Sequence, residues 1–290
     1  MRLLGIGDNT VDFYLDRAMM FPGGNAVNVA AQAARAGGQA AYLGCLGNDP
    51  CGDLLVRALT EEGVDLSRCR RAHGPNARAF VEHRDGDRIF RGSRPGVRAD
   101  FRLLPADFAW IGGFDVVHSS IHSDLDAEVP ALDAASRLFS YDFSNRWTPA
   151  QRAALARHVG IAFISSPEHD EEGCIVELHA WAEAGARGVV LTRGARGALA
   201  LDGQGRLHRQ PAARVAAIDT LGAGDAFIAG FLVAYATRGD MTAALIRGTE
   251  TGAAACRELG GFGHGVPFVG TDIDHDPAVP GKRNGTRHES

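Results

Sequence analysis

The feature that most constrains this chain is an alternation. From Leu3 to about Leu259, short apolar runs of strand length alternate with longer stretches of helical period. Arg2 to Ile6, Gln39 to Gly47, Phe114 to His118, Phe139 to Phe143, Ile161 to Ser165 and Gly188 to Leu191 read as buried strands. Asn25 to Ala36, Gly52 to Glu62, Asp225 to Ala236 and Thr242 to Leu259 read as helices. That pattern predicts an α/β fold: a mostly parallel sheet with helices on its faces. No stretch of about 18 apolar residues offers a membrane span. The N-terminus runs straight into Leu3-Leu4-Gly5-Ile6 without a signal-like segment. The net charge of −5, with no basic block, argues against nucleic acid as the main partner. Five cysteines form no C-x-x-C pair, which fits reduced thiols in a cytoplasmic protein.

In open α/β sheets ligands collect at the carboxyl ends of the strands. The most informative turn is Asp219-Thr220-Leu221-Gly222-Ala223-Gly224-Asp225-Ala226-Phe227. A strand-like run, Val215 to Ile218, leads into it, and a helix that is apolar nearly all round leads out. Gly222, Ala223 and Gly224 let a ligand come close. The N–H groups of Ala223, Gly224 and Asp225 have no intrahelical partner, and the helix dipole adds positive potential there. Such a turn holds a phosphate or a developing oxyanion. Asp225 beside it is placed to take a proton from an alcohol. Alone, the turn also reads as an ordinary helix start with an acidic first-turn residue. The second acid, Asp219, and the buried character of the helix favour a site in a cleft.

Asp8 follows the first strand, either as a turn residue or as a ligand-facing acid, and Asp12 can share its pocket. Gly23 and Gly24 precede a helix on which Asn25 and Asn28 lie on the same side. Asn25 suits an N-cap; Asn28 is incidental or has a side-chain task. Around Asp85-Gly86-Asp87 the alternation signals a hairpin. With residues 11–20, residues 77–98 are expected to form a small antiparallel lid that excludes water. Arg88, Arg91, Arg94 and Arg98 lie on or after this hairpin, as a solvated basic face or as anion contacts. Thr192-Arg193-Gly194-Ala195-Arg196-Gly197 follows a strand and can cradle phosphate.

Asp219 to Phe227, with Gly23-Gly24-Asn25-Ala26-Val27-Asn28 and the Thr192 loop, closely resembles the signatures of the ribokinase-like (PfkB) carbohydrate kinases. The resemblance spans roughly Arg2 to Gly263. It implies a three-layer α/β/α domain over residues 1–265 with a small β lid, and leaves 270–290 as a polar tail expected to be disordered. It implies an ATP-dependent sugar kinase with magnesium. Asp225 would be the base, and Gly222, Ala223 and Gly224 would hold the transferring phosphoryl group. Asp8, Asp12, Gly24, Asn25 and Asn28 would meet the sugar. Thr192, Gly194 and Gly197, with Gly222 and Gly224, would meet the nucleotide. The family often carries Lys where Asn25 stands, which points away from its commonest substrate. The family's metal-placing Asn is missing after Ile161 to Ser165, so the metal ligands stay open among Glu168, Asp170 and Glu171. The stretches at Ile6 to Tyr14 and Tyr141 to Trp147 resemble members acting on Amadori compounds. Such a substrate adds an amine and a carboxylate, which Asp12, Asp16 and Arg91 can receive. A homodimer through the lid edge is a further expectation.

Two other classes compete. A nicotinamide oxidoreductase would need a third glycine after Gly5-Ile6-Gly7-Asp8-Asn9-Thr10, and none is there. A sugar-binding protein without catalysis has no need of a base beside an anion hole.

Overall fold

The structure is a computed structural model that describes residues 1–84, 87–166 and 168–269. The first third contains β1 (Arg2–Ile6), β2 (Thr10–Tyr14), β3 (Met19–Gly23), α1 (Asn25–Arg35), β4 (Gln39–Leu43), β5 (Cys45–Gly47), α2 (Pro50–Glu61), β6 (Arg70–Ala72), β7 (Arg78–Arg84) and β8 (Asp87–Arg94). The middle contains α3 (Pro105–Ile111), β9 (Val116–Ser120), α4 (Val129–Ala135), β10 (Phe139–Asp142), α5 (Pro149–Leu155), β11 (Ile161–Ser165) and α6 (Glu171–Glu183). Then follow β12 (Val189–Thr192), β13 (Ala198–Leu201), β14 (Leu207–Gln210), α7 (Ala223–Arg238), α8 (Met241–Ala255) and β15 (Val266–Pro267).

Eight strands form the main sheet in the order β14-β13-β12-β11-β10-β9-β1-β4. From β4 to β12 every pairing is parallel; β13 and β14 close one edge antiparallel. Alternate side chains feed two separate cores. Ile161 and Phe163 of β11 join one core with residues of α1, α2, α7 and α8. Ala162 and Ile164 join the other with residues of α3, α4, α5 and α6. The helix-covered, mostly parallel sheet expected from the alternation, and the three layers that the resemblance implies, are therefore present. Strand order reverses beside β1, whose chain neighbours in the sheet, β4 and β9, lie on opposite sides. The crevice at this switch point is where a doubly wound sheet binds ligands.

The second sheet runs β15-β3-β2-β7-β8. The expected lid segments do come together, but the sheet is mixed: β2 pairs with β7 in parallel. The tip of the expected hairpin, Asp85-Gly86, and the tail from 270 lie outside the described residues. Val266 and Pro267 add a strand beyond the expected boundary at 265.

Two expectations of local structure are corrected. Gln39 to Gly47 is two strands in different sheets, because the chain bends at Gly44, where the Tyr42 hydroxyl packs against the backbone. Val215 to Ile218 is not a strand: the N–H groups of Ile218 and Asp219 both donate to the Cys256 carbonyl, and Ile218 is exposed. The segment follows the end of α8 rather than a strand partner.

Candidate active site

Five chain segments converge at the switch point: the turn after β1, the start of α1, β9, the end of β10 and the start of α7. Asp8 is buried, and its carboxylate accepts from the N–H groups of Asn25 (2.6 Å) and Ala26 (3.2 Å). Ser120 and Ser123 hydroxyls donate to the same carboxylate at 3.1 and 2.9 Å. Asp8 thus anchors the first turn of α1, as an acid at a helix N-terminus should.

That anchoring aims two asparagines at Asp225. Asn25 Nδ2 donates to one Asp225 oxygen at 2.8 Å, and Asn28 Nδ2 donates to the other at 2.6 Å. Asn25 Nδ2 also donates to Asp142 Oδ2 at 2.9 Å. Asn28 Oδ1 is buried and has no hydrogen-bond partner among the described residues. The Asp225 carboxyl is pushed up to about 8. Burial raises it first, the Asn28 bond opposes this, and the negative charges of Asp142 and Asp8 raise it further. Asp142, which is buried, is raised to about 6 by that burial, against a hydrogen bond from the Ser144 N–H.

The α7 turn is built by contacts on both sides. Gly222 has φ +72°, and a side chain there would lie 2.6 Å from the Gly261 Cα. Its freedom and its lack of a Cβ are both required. Asp219 accepts from the N–H groups of Leu221 (2.9 Å) and Gly260 (3.0 Å) and from the Tyr14 hydroxyl of β2. The Ala223 N–H turns back to the Thr220 carbonyl at 3.3 Å. The N–H groups of Gly224 and Asp225 make no hydrogen bond to another described residue, and Gly224 faces open space. Of the three N–H groups expected from sequence to line an anion hole, two are therefore open and the Ala223 N–H is not.

The other predicted residues divide. Asp12 is buried with its carboxylate against Gly23, on the strand that also carries Tyr14. Gly24 lies against the backbone of Asn9. Arg91 is committed to Glu82, with Nε at 2.7 Å and Nη2 closer still. Thr192 ends β12, on the same sheet edge as Asp8 and Asp142, and its hydroxyl meets that of Ser165 at 3.0 Å. Gly194 opens to empty space, whereas Gly197 is packed against the backbone of Gln210. Asp170 caps α6 through the Gly173 N–H, and Glu171 pairs with Arg193 and Arg209. Of the three candidate metal acids, Glu168 alone is exposed without a partner among the described residues.

Sequence reasoning passed over His118 and Asp142 as site residues. Asp142 ends β10 and His118 is the middle residue of β9; in each buried strand a polar side chain is the available signal. Their role depends on which strands become neighbours.

The profile of the pfkB family carbohydrate kinases matches residues 8–263. The chain is 40% identical to the fructosamine kinase FrlD of Bacillus subtilis (strain 168), over 92% of this chain and 95% of that protein. It is 38% identical to the fructoselysine 6-kinase of Escherichia coli (strain K12), over 90% of this chain and 99% of the relative. The fold superposes on a ribokinase from Thermotoga maritima with a TM-score of 0.75 at 22% identity, covering 91% of this chain and 95% of that one.

Proposed function

The chain belongs to the pfkB family of carbohydrate kinases, and from that premise we propose that it phosphorylates the 6-hydroxyl of fructoselysine. It is an ATP-dependent carbohydrate kinase; the substrate is our inference from the relatives and the site. The observation that carries the mechanism is Asp225, held through both oxygens by Asn25 and Asn28 beside two open N–H groups.

In this reading Asp225 accepts the proton as the sugar hydroxyl attacks the γ-phosphorus of ATP. The Gly224 and Asp225 N–H groups hold charge that develops on the transferred group. Asn28 Oδ1, buried and without a donor, supports a sugar hydroxyl as its missing partner. Gly194 and Gly224 leave backbone clear for the nucleotide phosphates. The second sheet covers the site and keeps water from the phosphoryl group.

Magnesium fits as a companion of the nucleotide. Among the described residues no group of three or more His, Cys, Asp or Glu side chains could hold an ion. Magnesium commonly binds through phosphates, water and one or two carboxylates. Glu168 is the acid left free for that task. When bound, the ion would neutralise phosphate charge.

For the substrate, the site offers acids rather than cations. Asp12 stands near Gly23, and no Lys occurs in the first 281 residues. An acidic pocket suits the protonated amine that fructoselysine carries and plain fructose lacks. Among the described residues no helix is long and apolar enough to cross a membrane, and all five cysteines are free thiols. We place the enzyme in the cytoplasm on that basis. Edge strand β8 is the surface where two copies would pair.

The test is ATP-dependent phosphorylation with magnesium, comparing fructoselysine, fructose, ribose, adenosine and a blank without sugar. Fructoselysine should give the highest kcat/KM. A lead for another sugar keeps the kinase and removes this substrate.

A further inference from the structure

Asn25 joins the two acids of the site, and its orientation is not self-evident. A carboxamide can turn over and exchange its oxygen and nitrogen at the same positions. Turned over, Asn25 would present oxygen to Asp142 and Asp225. What prevents this lies below it. His118, fully buried in β9, places Nε2 2.9 Å from Asn25 Oδ1. Its Nδ1 lies 2.8 Å from Ser140 Oγ, on the residue that pairs with it in β10.

The partners fix the tautomer. The ionised carboxylates of Asp142 and Asp225 accept from Nδ2, which turns the Asn25 oxygen to His118; that oxygen can only accept, so Nε2 carries the hydrogen. Nδ1 is then bare and accepts from the Ser140 hydroxyl. The alternative acceptor for that hydroxyl, the Val117 carbonyl, is farther away at 3.4 Å. Burial also pushes the imidazole down to about 3, so the ring stays neutral through the working range of an enzyme. The ordered chain runs Ser140 O–H to His118, His118 N–H to Asn25, and Asn25 N–H to both Asp142 and Asp225.

We propose that His118 is a positioning residue for phosphoryl transfer: its Nε2–H locks the Asn25 carboxamide so that both Asn25 N–H groups hold Asp142 and the base Asp225 in place. The inference rests on Asp225 being the base, not on which sugar is phosphorylated. The charged groups facing Asp225 are Asp142 from β10 and Asp8 from the end of β1; His122 faces Asp142, and Asp8 also faces His118. Loss of the lock frees Asn25 to turn. Asp225 then keeps only Asn28 as a donor, and its protonated form is favoured.

The experiment compares the pH profiles of kcat/KM for His118→Leu and His118→Gln, using whichever sugar the wild type phosphorylates. Leu fills much of the space without a donor; Gln can offer an N–H to Asn25. His118→Leu should move the acidic limb up by about one pH unit and lower the rate at pH 7 about tenfold, with the KM for ATP unchanged. His118→Gln should restore the wild-type limb. In an Asn25→Ala background, His118→Leu should cause no further shift. If His118→Leu does not fold, Ser140→Ala should shift the limb in the same direction. An unmoved limb in the folded Leu variant, or in Ser140→Ala, overturns the proposal, as does an equal shift in Leu and Gln. Asp225→Asn run alongside separates the two readings: if it stays active, the base assignment fails; if it is inactive while the limb stays fixed, the role of His118 alone fails.

Discussion

In the proposed mechanism Asp225 is the base, and its proton affinity sets the pH dependence. A base works deprotonated, so with a titration near pH 8 the kcat/KM for sugar should climb from pH 6 and level off above 8. Asp142→Asn removes a neighbouring negative charge, so the acidic limb should move to lower pH and the variant should gain on the wild type near pH 6. A limb that stays in place would show that Asp142 does not act on the base. The same raised titration has a consequence for stability. Between the unfolded value near 4 and about 8, the native state holds a proton that the unfolded chain releases. This group therefore makes the fold less stable as pH rises through that window. Asp225→Asn should flatten the fall in Tm between pH 5 and pH 8. Asp225 and Asn28 were legible in the sequence because a glycine turn or a glycine pair marks each. His118 was not: in Val116-Val117-His118 it looks like any core histidine. Only the pairing of β9 with β10, opposite the start of α1, gives it partners.

At the scale of elements, the second sheet is tied to the turn before α7 by a hydrogen bond and by packing of Leu221 against Tyr14, Phe21 and Val81. Tyr14 of β2 donates to Asp219, which also holds the Leu221 and Gly260 N–H groups. Tyr14→Phe should cost about 1.5–3 kcal/mol of stability, the range for a hydrogen bond to a charged group, and should lower kcat more than it raises the KM for ATP. Denaturant unfolding and steady-state kinetics check both; a variant of wild-type stability and rate would mean that sheet and turn are independent. Most helices and parallel strands were legible, since buried runs and helical periods are strong local signals. The stretch before Asp219 was not. Its β-branched residues suit a strand, but the edge beyond β14 is not used, and the Cys256 carbonyl captures the backbone instead.

The whole molecule explains why residues so far apart in sequence share one site. Parallel strands put β1, β9, β10 and β12 with their carboxyl ends on one edge, and strand order reverses beside β1. Asp8, Asp142 and Thr192 belong to that edge and His118 lies two residues before the end of β9, while α1 and α7 point their N-termini at the edge. The strand–helix alternation and the family signatures make this architecture readable in the sequence. The mixed pairing in the second sheet and the added strand β15 were not readable, because both depend on contacts between distant segments. The most direct test is a single-turnover reaction of wild type and Asp225→Asn with ATP, magnesium and fructoselysine, alongside sugar-induced stabilisation of each. Phosphoryl transfer should fall by about 10²–10⁴-fold, while fructoselysine still raises the Tm of the variant. Turnover within a few-fold of wild type would contradict the account.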